Sequence, residues 1–143
     1  MLALAAEAAR GANVRFVQSD LFDWTPDRAY DAVFFGFWLS HVPAERFVCF
    51  WATVAACLNP GGRVAFVDDA HRSDEELVYG VDSSMIQRTL ADGSTHRVVK
   101  LAHTPAGLQQ RLAELGWRFE IKEAAPFFWG VGRRRPEPVV TGS

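Results

Sequence analysis

Two side chains capable of acid–base chemistry stand next to each other at Ser40 and His41. They follow the largely apolar run YDAVFFGFW, residues 30–38, and Pro43 comes soon after them. Histidine titrates near neutral pH, so His41 is a candidate general base for a hydroxyl or an amine, and Ser40 could orient it or a substrate. The alternative is a histidine that makes a capping hydrogen bond at the start of the next helix.

Acidic residues follow two further apolar segments. Asp20 comes shortly after residues 14–17, and Asp68 and Asp69 end residues 63–67. Asp20 could contact a ligand, or it could cap a turn, a position that aspartate favours. Asp68 and Asp69 could bind a metal ion or an amine, but adjacent strand residues point to opposite faces, so a shared metal is not expected. The histidines lack metal-ligand spacing, and we predict no metal site.

A buried strand is expected to position these side chains. The residues from Tyr30 to Trp38 are nearly all apolar, which is typical of an interior parallel strand covered on both faces. Ligands of open α/β sheets bind at the carboxyl ends of such strands. Trp38, Ser40 and His41 therefore stand where a binding site is expected.

The remaining patterns predict alternating helices and strands. Apolar residues at three- and four-residue steps predict a helix at 43–58, and Asn59-Pro60-Gly61-Gly62 ends it before a strand at 63–67. Strand, helix and strand form a right-handed crossover. The other predicted elements are a helix at 2–10, a strand at 14–17, a short helix at 73–77, a hairpin of 86–90 and 95–100, a helix at 104–115, and strands at 117–122 and 127–131.

Composition excludes several classes of protein. The chain of 143 residues suits one domain, and its net charge of −2 gives no reason to expect a nucleic-acid partner, since the basic cluster at residues 133–135 is short. No window approaches the roughly 20 apolar residues that span a membrane, and Glu7 interrupts the apolar start, so neither a membrane segment nor a signal peptide is predicted. Cys49 and Cys57 lie about 12 Å apart along one helix, too far to bridge, which favours reduced thiols and a cytoplasmic location.

Four segments carry a resemblance to a known family. They are RFVQSDLFDW, YDAVFFGFWLSHV, LNPGGRVAFVDD and LGWRFEIKEAAPFFWGVGRR. In this order they resemble the third strand, the fourth strand, the glycine turn with the fifth strand, and the closing strand pair of class I S-adenosylmethionine-dependent methyltransferases. The resemblance implies an α/β fold with a Rossmann-like class I methyltransferase sheet that ends in an antiparallel strand pair. It places a partial methyltransferase domain at residues 1–132 and a flexible tail at 133–143.

The resemblance implies S-adenosylmethionine as the cofactor and assigns residues to it. Asp20 corresponds to the family's acidic residue beside the adenine ring, and Leu21 would pack on that ring. Phe37 and Trp38 could face the sulfonium in a cation–π contact worth about 0.5–2 kcal/mol, although such aromatic residues are more often part of the core.

A small-molecule acceptor, methylated at oxygen or nitrogen, is also implied. Ser40 and His41 stand where the family's fourth strand faces the donor and the acceptor, and Trp129 lies in the closing strands, near which the family often lines its acceptor pocket. His41 would be the catalytic base. Because methyl transfer often needs little beyond alignment of the reacting atoms, a base could also be absent.

The beginning of the chain departs from the family. Family members open with a strand and a glycine-rich turn beside the cofactor, whereas residues 2–10 here correspond to the helix after the family's second strand. We therefore expect an N-terminally truncated sheet with open edges. Open apolar edges invite pairing. We predict a homodimer, with a partner chain that supplies the missing half, or a third strand shifted beside the fourth, as alternatives.

Two functions remain open on the sequence alone. The first is a methyltransferase, or the C-terminal part of one, that acts on a small molecule. The second is a non-catalytic methyltransferase-like module that acts as a dimer or as one subunit of a split enzyme. The missing glycine-rich turn favours the second function, and the presence of every later motif favours the first.

Overall fold

The computed structural model describes residues 2–70, 74–80 and 82–136, without the side chains of residues 74 and 75. Its helices are α1 (Leu2–Ala8), α2 (Phe47–Ala56) and α3 (Pro105–Glu114). Its strands are β1 (Tyr30–Gly36), β2 (Leu58–Asp69), β3 (Met85–Thr89), β4 (Thr95–Val99), β5 (Trp117–Ala124) and β6 (Phe127–Arg134). Short 3₁₀ turns occupy Leu39–His41, Ala44–Arg46 and Asp74–Leu77.

Four strands form one sheet in the order β1-β2-β6-β5. β1 is parallel to β2, whereas β6 is antiparallel to both β2 and β5. Parallel neighbours need a crossover connection, and α2 supplies it between β1 and β2. The prediction of an α/β fold with a sheet that ends in an antiparallel strand pair is confirmed.

Helices α2 and α3 pack on one face of this sheet, and their buried residues share one hydrophobic cluster with the strands. Trp51 of α2 lies edge-on to Trp117 and Phe119 of β5, with ring centroids 5.2 and 5.4 Å apart. Gly132 of β6 makes room for the Phe119 ring, because a Cβ atom at this glycine would lie 2.5 Å from it. The aromatic core thus holds the antiparallel pair against α2.

Strands β3 and β4 form a separate two-stranded hairpin, as the Asp-Gly turn between them predicts. The chain that leaves the hairpin is bonded to the segment that follows β1, because Leu101 N donates to Ser40 O at 2.7 Å. The hairpin therefore lies beside the carboxyl end of β1.

The predicted strand at residues 14–17 is wrong. Residues 13–20 have no regular secondary structure, and Val14, Phe16 and Val17 are exposed. A strand needs a neighbour for its backbone hydrogen bonds, and this segment is not part of either sheet in the described chain. The alternative in which it shifts beside the family's fourth strand, here β1, is therefore not observed.

The prediction that residues 30–38 are covered on both faces is also wrong. β1 is an edge strand, and the Phe34 side chain is 71% exposed. Phe35, which points to the other face, contacts Phe50 of α2 with ring centroids 5.3 Å apart. Phe34 is exposed because the core helices pack on the face to which Phe35 points.

Two helix predictions differ from the structure at their ends. The helix predicted at 43–58 begins as the 3₁₀ turn Ala44–Arg46 and continues as α2. The short helix predicted at 73–77 is the 3₁₀ turn Asp74–Leu77, and its predicted cap, Ser73, lies outside the described residues. In the described part of the chain, no helix has the length and apolar character needed to cross a bilayer.

The flexible tail predicted from residue 133 begins within a strand instead. β6 continues to Arg134, and the backbone N–H of Arg135 donates to Gly116 O at 2.8 Å. The pairing of β6 with β5 extends to this point, which explains the ordered backbone. Residues 137–143 lie outside the described residues.

Candidate functional site

The chain turns sharply where β1 ends at Gly36. Phe37 follows with a φ of 54°, in the left-handed region that costs a bulky residue about 1–2 kcal/mol. Phe37 N donates to Val67 O of β2 at 2.8 Å, which holds the turn. Residues 37–41, called the exit turn below, therefore lie at the carboxyl ends of two parallel strands.

Asp68, near the end of β2, anchors the exit turn. Its side chain is fully buried, and its carboxylate accepts hydrogen bonds from Ser40 N at 2.8 Å and Ser40 Oγ at 2.9 Å. It also accepts one from Asp69 N at 2.8 Å. A buried carboxylate is tolerated only with such donors. Ser40 is buried as well, so its hydroxyl is engaged in holding the turn.

His41 is half-buried and is held by the hairpin. Its Nδ1 lies 2.6 Å from Val99 O of β4. Because a carbonyl oxygen can only accept, Nδ1 carries a proton, and in the neutral ring the lone pair is therefore on Nε2. No hydrogen-bond partner for Nε2 lies within the described ranges. His41 thus has the tautomer that a general base needs, and its bond to Val99 differs from the capping bond of the alternative.

A second histidine, His103, also contacts the exit turn. Its Nε2 donates to Leu39 O at 3.4 Å. Burial lowers the pKa of His103 below its ordinary value, the bond to Leu39 opposes this, and the positive charge of Arg111 lowers the pKa further. The structure therefore favours the neutral ring.

A buried ion-pair network ties the hairpin to the end of β2. Lys100 is 4% exposed, and its Nζ lies 2.9 Å from carboxylate oxygens of both Asp69 and Glu76. Arg88 of β3 lies 3.0 Å from Glu76. Because a buried charge without a partner is costly, the network holds the hairpin in one position against β2.

The two adjacent acids at the end of β2 serve different partners. Asp68 accepts from Ser40, and Asp69 accepts from Lys100, as the alternation of side chains along a strand requires. Across residues 2–70, 74–80 and 82–136, no group of three or more His, Cys, Asp or Glu side chains is arranged to hold a metal ion.

An apolar groove of about 350 Å³ runs along the open edge of β1. Leu21 and Trp38 both line it, and the Phe22 ring lies 6.2 Å from the Trp38 ring. Trp38 Nε1 is buried and finds no hydrogen-bond acceptor in the described part of the chain. Burying a donor without an acceptor is costly, so an acceptor atom supplied by a ligand or a partner would be stabilising here.

Asp20 is exposed and stands directly before Leu21. Its Oδ1 accepts a hydrogen bond from Phe22 N at 2.9 Å, which closes an Asx-type turn. This is the capping role that the sequence leaves open as the alternative. The carboxylate has a second oxygen, so the turn does not prevent a contact with a ligand.

Phe37 and Trp129 both have exposed side chains at the side of the sheet that the helices leave open. Phe37 is 51% exposed, and its ring lies 5.7 Å from the ring of Phe127 in β6. Trp129 is paired in register with Val67, whose carbonyl accepts from Phe37 N. The predicted cofactor residues thus form two groups, with Leu21 and Trp38 in the groove and Phe37 beside the aromatic residues of β6.

Sequence analysis singled out Asp68 only as a possible ligand of a metal ion or an amine, and it missed that Asp68, Val99 and Lys100 position this site. Asp68 is separated from Ser40 by 28 residues, and Val99 from His41 by 58, so no local pattern reveals either bond. The sequence does carry one signal, an acid at the end of the neighbouring strand. Lys100 gives no signal of its own, because its two carboxylate partners are brought together only by the docked hairpin.

Comparison with known proteins agrees with this geometry. Residues 1–62 match the family described as "Methyltransferase domain". A search of curated protein sequences gave no match. The family match therefore covers the exit turn, α2 and the glycine turn, but not the hairpin or the closing strands.

Solved structures extend the comparison to the whole sheet. DhpI in complex with SAH is 43% identical, with a TM-score of 0.79 over 96% of this chain and 62% of the DhpI chain. The DhpI-SAM-HEP complex is also 43% identical, with a TM-score of 0.78 over 91% of this chain and 63% of that one. The chain thus spans less than two thirds of the length of DhpI.

A more distant structure shows the fold alone. The 1,6-didemethyltoxoflavin-N1-methyltransferase of Burkholderia thailandensis is 15% identical, with a TM-score of 0.62 over 94% of this chain and 56% of that chain. With this sheet, this exit turn and these matches, the chain has the class I fold of the S-adenosylmethionine-dependent methyltransferases. The resemblance seen in the sequence is confirmed.

Proposed function

We propose that the chain serves S-adenosylmethionine-dependent methyl transfer to an oxygen or nitrogen atom of a small molecule. The observation that carries this proposal is the 43% identity to DhpI over 96% of the chain, because DhpI was solved with SAH and with SAM and HEP. The position of the exit turn at the carboxyl ends of parallel strands supports it, since ligands of open α/β sheets bind there.

The residues around the exit turn fit the cofactor chemically. Leu21 and Trp38 offer apolar surface for the adenine ring, and Asp20 offers a carboxylate oxygen for the amino group. Phe37 is an exposed aromatic ring, which attracts a cation such as a sulfonium. When bound, S-adenosylmethionine supplies a methyl group on positively charged sulfur, ready for transfer to a nucleophile.

On the acceptor side, His41 is the proposed catalytic base. Its Nε2 would take the proton from the acceptor hydroxyl or amine, while the bond from Nδ1 to Val99 O fixes the ring. Ser40 is assigned a positioning role, because its hydroxyl donates to Asp68 and thereby fixes the turn that carries His41. Trp129 is proposed to contact the acceptor from the exposed face of the sheet.

A second polypeptide at the open edge of β1 is part of the proposal. The edge carries the exposed Phe34 and Trp38 Nε1, for which the described residues offer no acceptor, and residues 14–17 expose apolar side chains and pair with no strand of the described chain. We propose a homodimer that covers these surfaces, with a separate chain that pairs with the open edge of β1 as the other candidate. Because Cys49 and Cys57 are both free thiols, we propose a cytoplasmic location.

The second candidate function is a non-catalytic methyltransferase-like module. The observation that favours it is the separation of the proposed cofactor residues, with Trp38 in the edge groove and Phe37 on the exposed face beside Phe127. Such a module would keep the fold and the partner surface without turnover.

A methyl-transfer assay distinguishes the two functions. Tritium-labelled S-adenosylmethionine is incubated with the chain, and HEP, the compound named with DhpI, is the first acceptor. We expect transfer, and we expect His41→Gln to lower kcat by about 10²–10⁴-fold, as loss of a general base does. His96→Gln, at an exposed site on β4, is the matched control and should leave the rate unchanged. Equal rates for the two variants would remove His41 from the mechanism, and cofactor binding without transfer to any acceptor would favour the module.

A further inference from the structure

The end of the sheet opposite the exit turn carries a groove of about 840 Å³ that is lined by four arginines. Arg118 comes from β5, Arg133 and Arg134 from the end of β6, and Arg135 follows them. The groove also borders Gly62 of β2, which is seven residues from the end of that strand, or about 23 Å at 3.3 Å per residue. The groove is therefore separate from the proposed methyl-transfer site, and a ligand bound in it would not depend on the proposed function.

These arginines are close together without a counter-charge. Arg118 and Arg133 are direct partners in the β5–β6 register, a pairing of like charges that destabilises a sheet. Within the described ranges, no carboxylate lies within 4.0 Å of the guanidinium group of any of the four. The chain as a whole carries a net charge of −2, so this concentration of positive charge is local and does not reflect a basic composition.

The sequence alone reveals only three of the four arginines as a cluster. Residues 133–135 form a short basic cluster at the start of what reads as a loose tail. The structure places these residues at the ordered end of β6 and brings Arg118 beside them, although 15 residues separate Arg118 from Arg133. A short run becomes a concave, four-arginine surface only because β5 and β6 pair along their full length.

We propose that this groove binds a small anion of the phosphate class that carries at least two negative charges. The planar guanidinium fork matches phosphate oxygens in a bidentate geometry, and several arginines lining one groove favour a multiply charged ligand over a single chloride. Among the residues that the structure describes, no aromatic side chain lines the groove for a base to stack on, and four arginines do not form the extended stripe of a nucleic-acid surface. A bound anion would also relieve the repulsion between Arg118 and Arg133.

Pyrophosphate is the probe that tests this site. The 143-residue chain is titrated by calorimetry at constant ionic strength, set with sodium chloride, and orthophosphate is titrated in parallel. We expect pyrophosphate to bind more tightly than orthophosphate, and Arg118→Gln and Arg133→Gln each to weaken binding about tenfold. Arg10→Gln, at an exposed position of the chain that does not line the groove, is the charge-matched control and should bind as the wild type does.

A second readout separates a site from simple charge screening. Without anion, Arg133→Gln should melt at a higher temperature than the wild type, because the like-charge pair is gone. Pyrophosphate should then raise the melting temperature of the wild type by more than that of the variant, which binds more weakly. Affinity that is equal in Arg118→Gln, Arg133→Gln and Arg10→Gln would overturn the proposal. The proposal would also be overturned if millimolar pyrophosphate did not bind, or if sodium chloride at the same ionic strength gave the same heats as pyrophosphate.

Discussion

The exit turn depends on a few hydrogen bonds between buried groups. Asp68 accepts both the backbone and the hydroxyl proton of Ser40, and Val99 accepts the Nδ1 proton of His41. These bonds fix the direction of a turn that already contains Phe37 in a strained conformation. At the scale of single residues, the position of His41 therefore depends on hydrogen bonds to buried polar groups.

Removing the Ser40 hydroxyl tests the role of this bond. Ser40→Ala leaves the buried Asp68 carboxylate with one donor fewer, and we expect a loss of about 1–3 kcal/mol in the free energy of unfolding. Urea denaturation followed by tryptophan fluorescence measures it. Ser19→Ala, at an exposed serine, is the control and should change nothing measurable. If both variants unfolded at the same urea concentration, the bond between Ser40 and Asp68 would contribute nothing to the stability of the fold.

His103 predicts a pH dependence with a definite sign. Its pKa in the folded chain is lowered from the ordinary value of 6.5, first by burial, so the unfolded chain binds a proton more readily. The stability that the neutral ring contributes is present above pH 6.5 and is lost as the pH falls from there toward the folded-state pKa.

Urea unfolding at about pH 7.5 and pH 5.5 measures this dependence. We expect His103→Gln to lose less stability between the two conditions than the wild type, because glutamine does not titrate. His96→Gln replaces an exposed histidine and should keep the wild-type pH dependence. A pH dependence identical in the wild type and in His103→Gln would contradict the buried neutral ring.

The sequence predicts which residues lie at the candidate site better than it predicts what each residue does there. Ser40 and His41 stand out because polar residues follow a long apolar run, and both lie in the exit turn. The partners Asp68 and Val99 come from other strands, so their bonds depend on the register of the sheet and the placement of the hairpin. Local patterns carry no information about either.

At the scale of elements, the hairpin lies beside the candidate site and is held there largely by ion pairs. Lys100 joins it to Asp69 and Glu76, and Leu101 N joins it to Ser40 O. The hairpin itself has only two strands, which are marginally stable in isolation. Its position beside His41 therefore depends on the ion pairs more than on its own core.

Two lysines of the chain allow a matched comparison. Lys100 and Lys122 each lie 2.9 Å from a carboxylate oxygen, but Lys100 is buried and Lys122 is exposed. Lys100→Met removes the ammonium group that the buried Glu76 carboxylate contacts. We therefore expect a loss of about 3–5 kcal/mol in the free energy of unfolding. Lys122→Met should have little effect, because exposed pairs are screened by water. Equal losses in the two variants, measured by urea denaturation, would mean that burial does not decide the strength of the pair.

Elements defined by local patterns were predicted well, whereas long-range pairing decided one strand that is absent and the length of another. The Asp-Gly hairpin and the helix capped by Thr104 are confirmed, because turn chemistry and apolar periodicity are local. Residues 14–17 have an apolar strand composition but no strand beside them. β6 extends to Arg134 because β5 pairs with it, which the charged sequence does not indicate.

On the scale of the whole molecule, the sheet has one covered face and one exposed face. Phe34, Phe127, Trp129 and Val131 are all exposed, and β1 offers an open edge beside an apolar groove. Exposed apolar surface of this kind marks an interaction site in soluble proteins. The proposed homodimer would cover it.

Light scattering coupled to gel filtration tests the dimer. We expect twice the mass of the 15.9 kDa chain at micromolar concentration. Phe34→Glu places a charge at the proposed interface and should shift the protein toward the monomer, whereas Val48→Glu, at an exposed position of α2, should not. A wild-type monomer at all concentrations would rule out the homodimer and leave the separate partner chain.

The measurement that tests the central claim most directly is a calorimetric titration of the chain with S-adenosylhomocysteine. This product shares every recognition element of the donor except the methyl group. We predict a dissociation constant in the micromolar range, weakened by Asp20→Ala and unchanged by Asp82→Ala, which alters an exposed residue outside the groove. No binding at millimolar S-adenosylhomocysteine would contradict the proposed function, and the chain would then have the methyltransferase fold without the site.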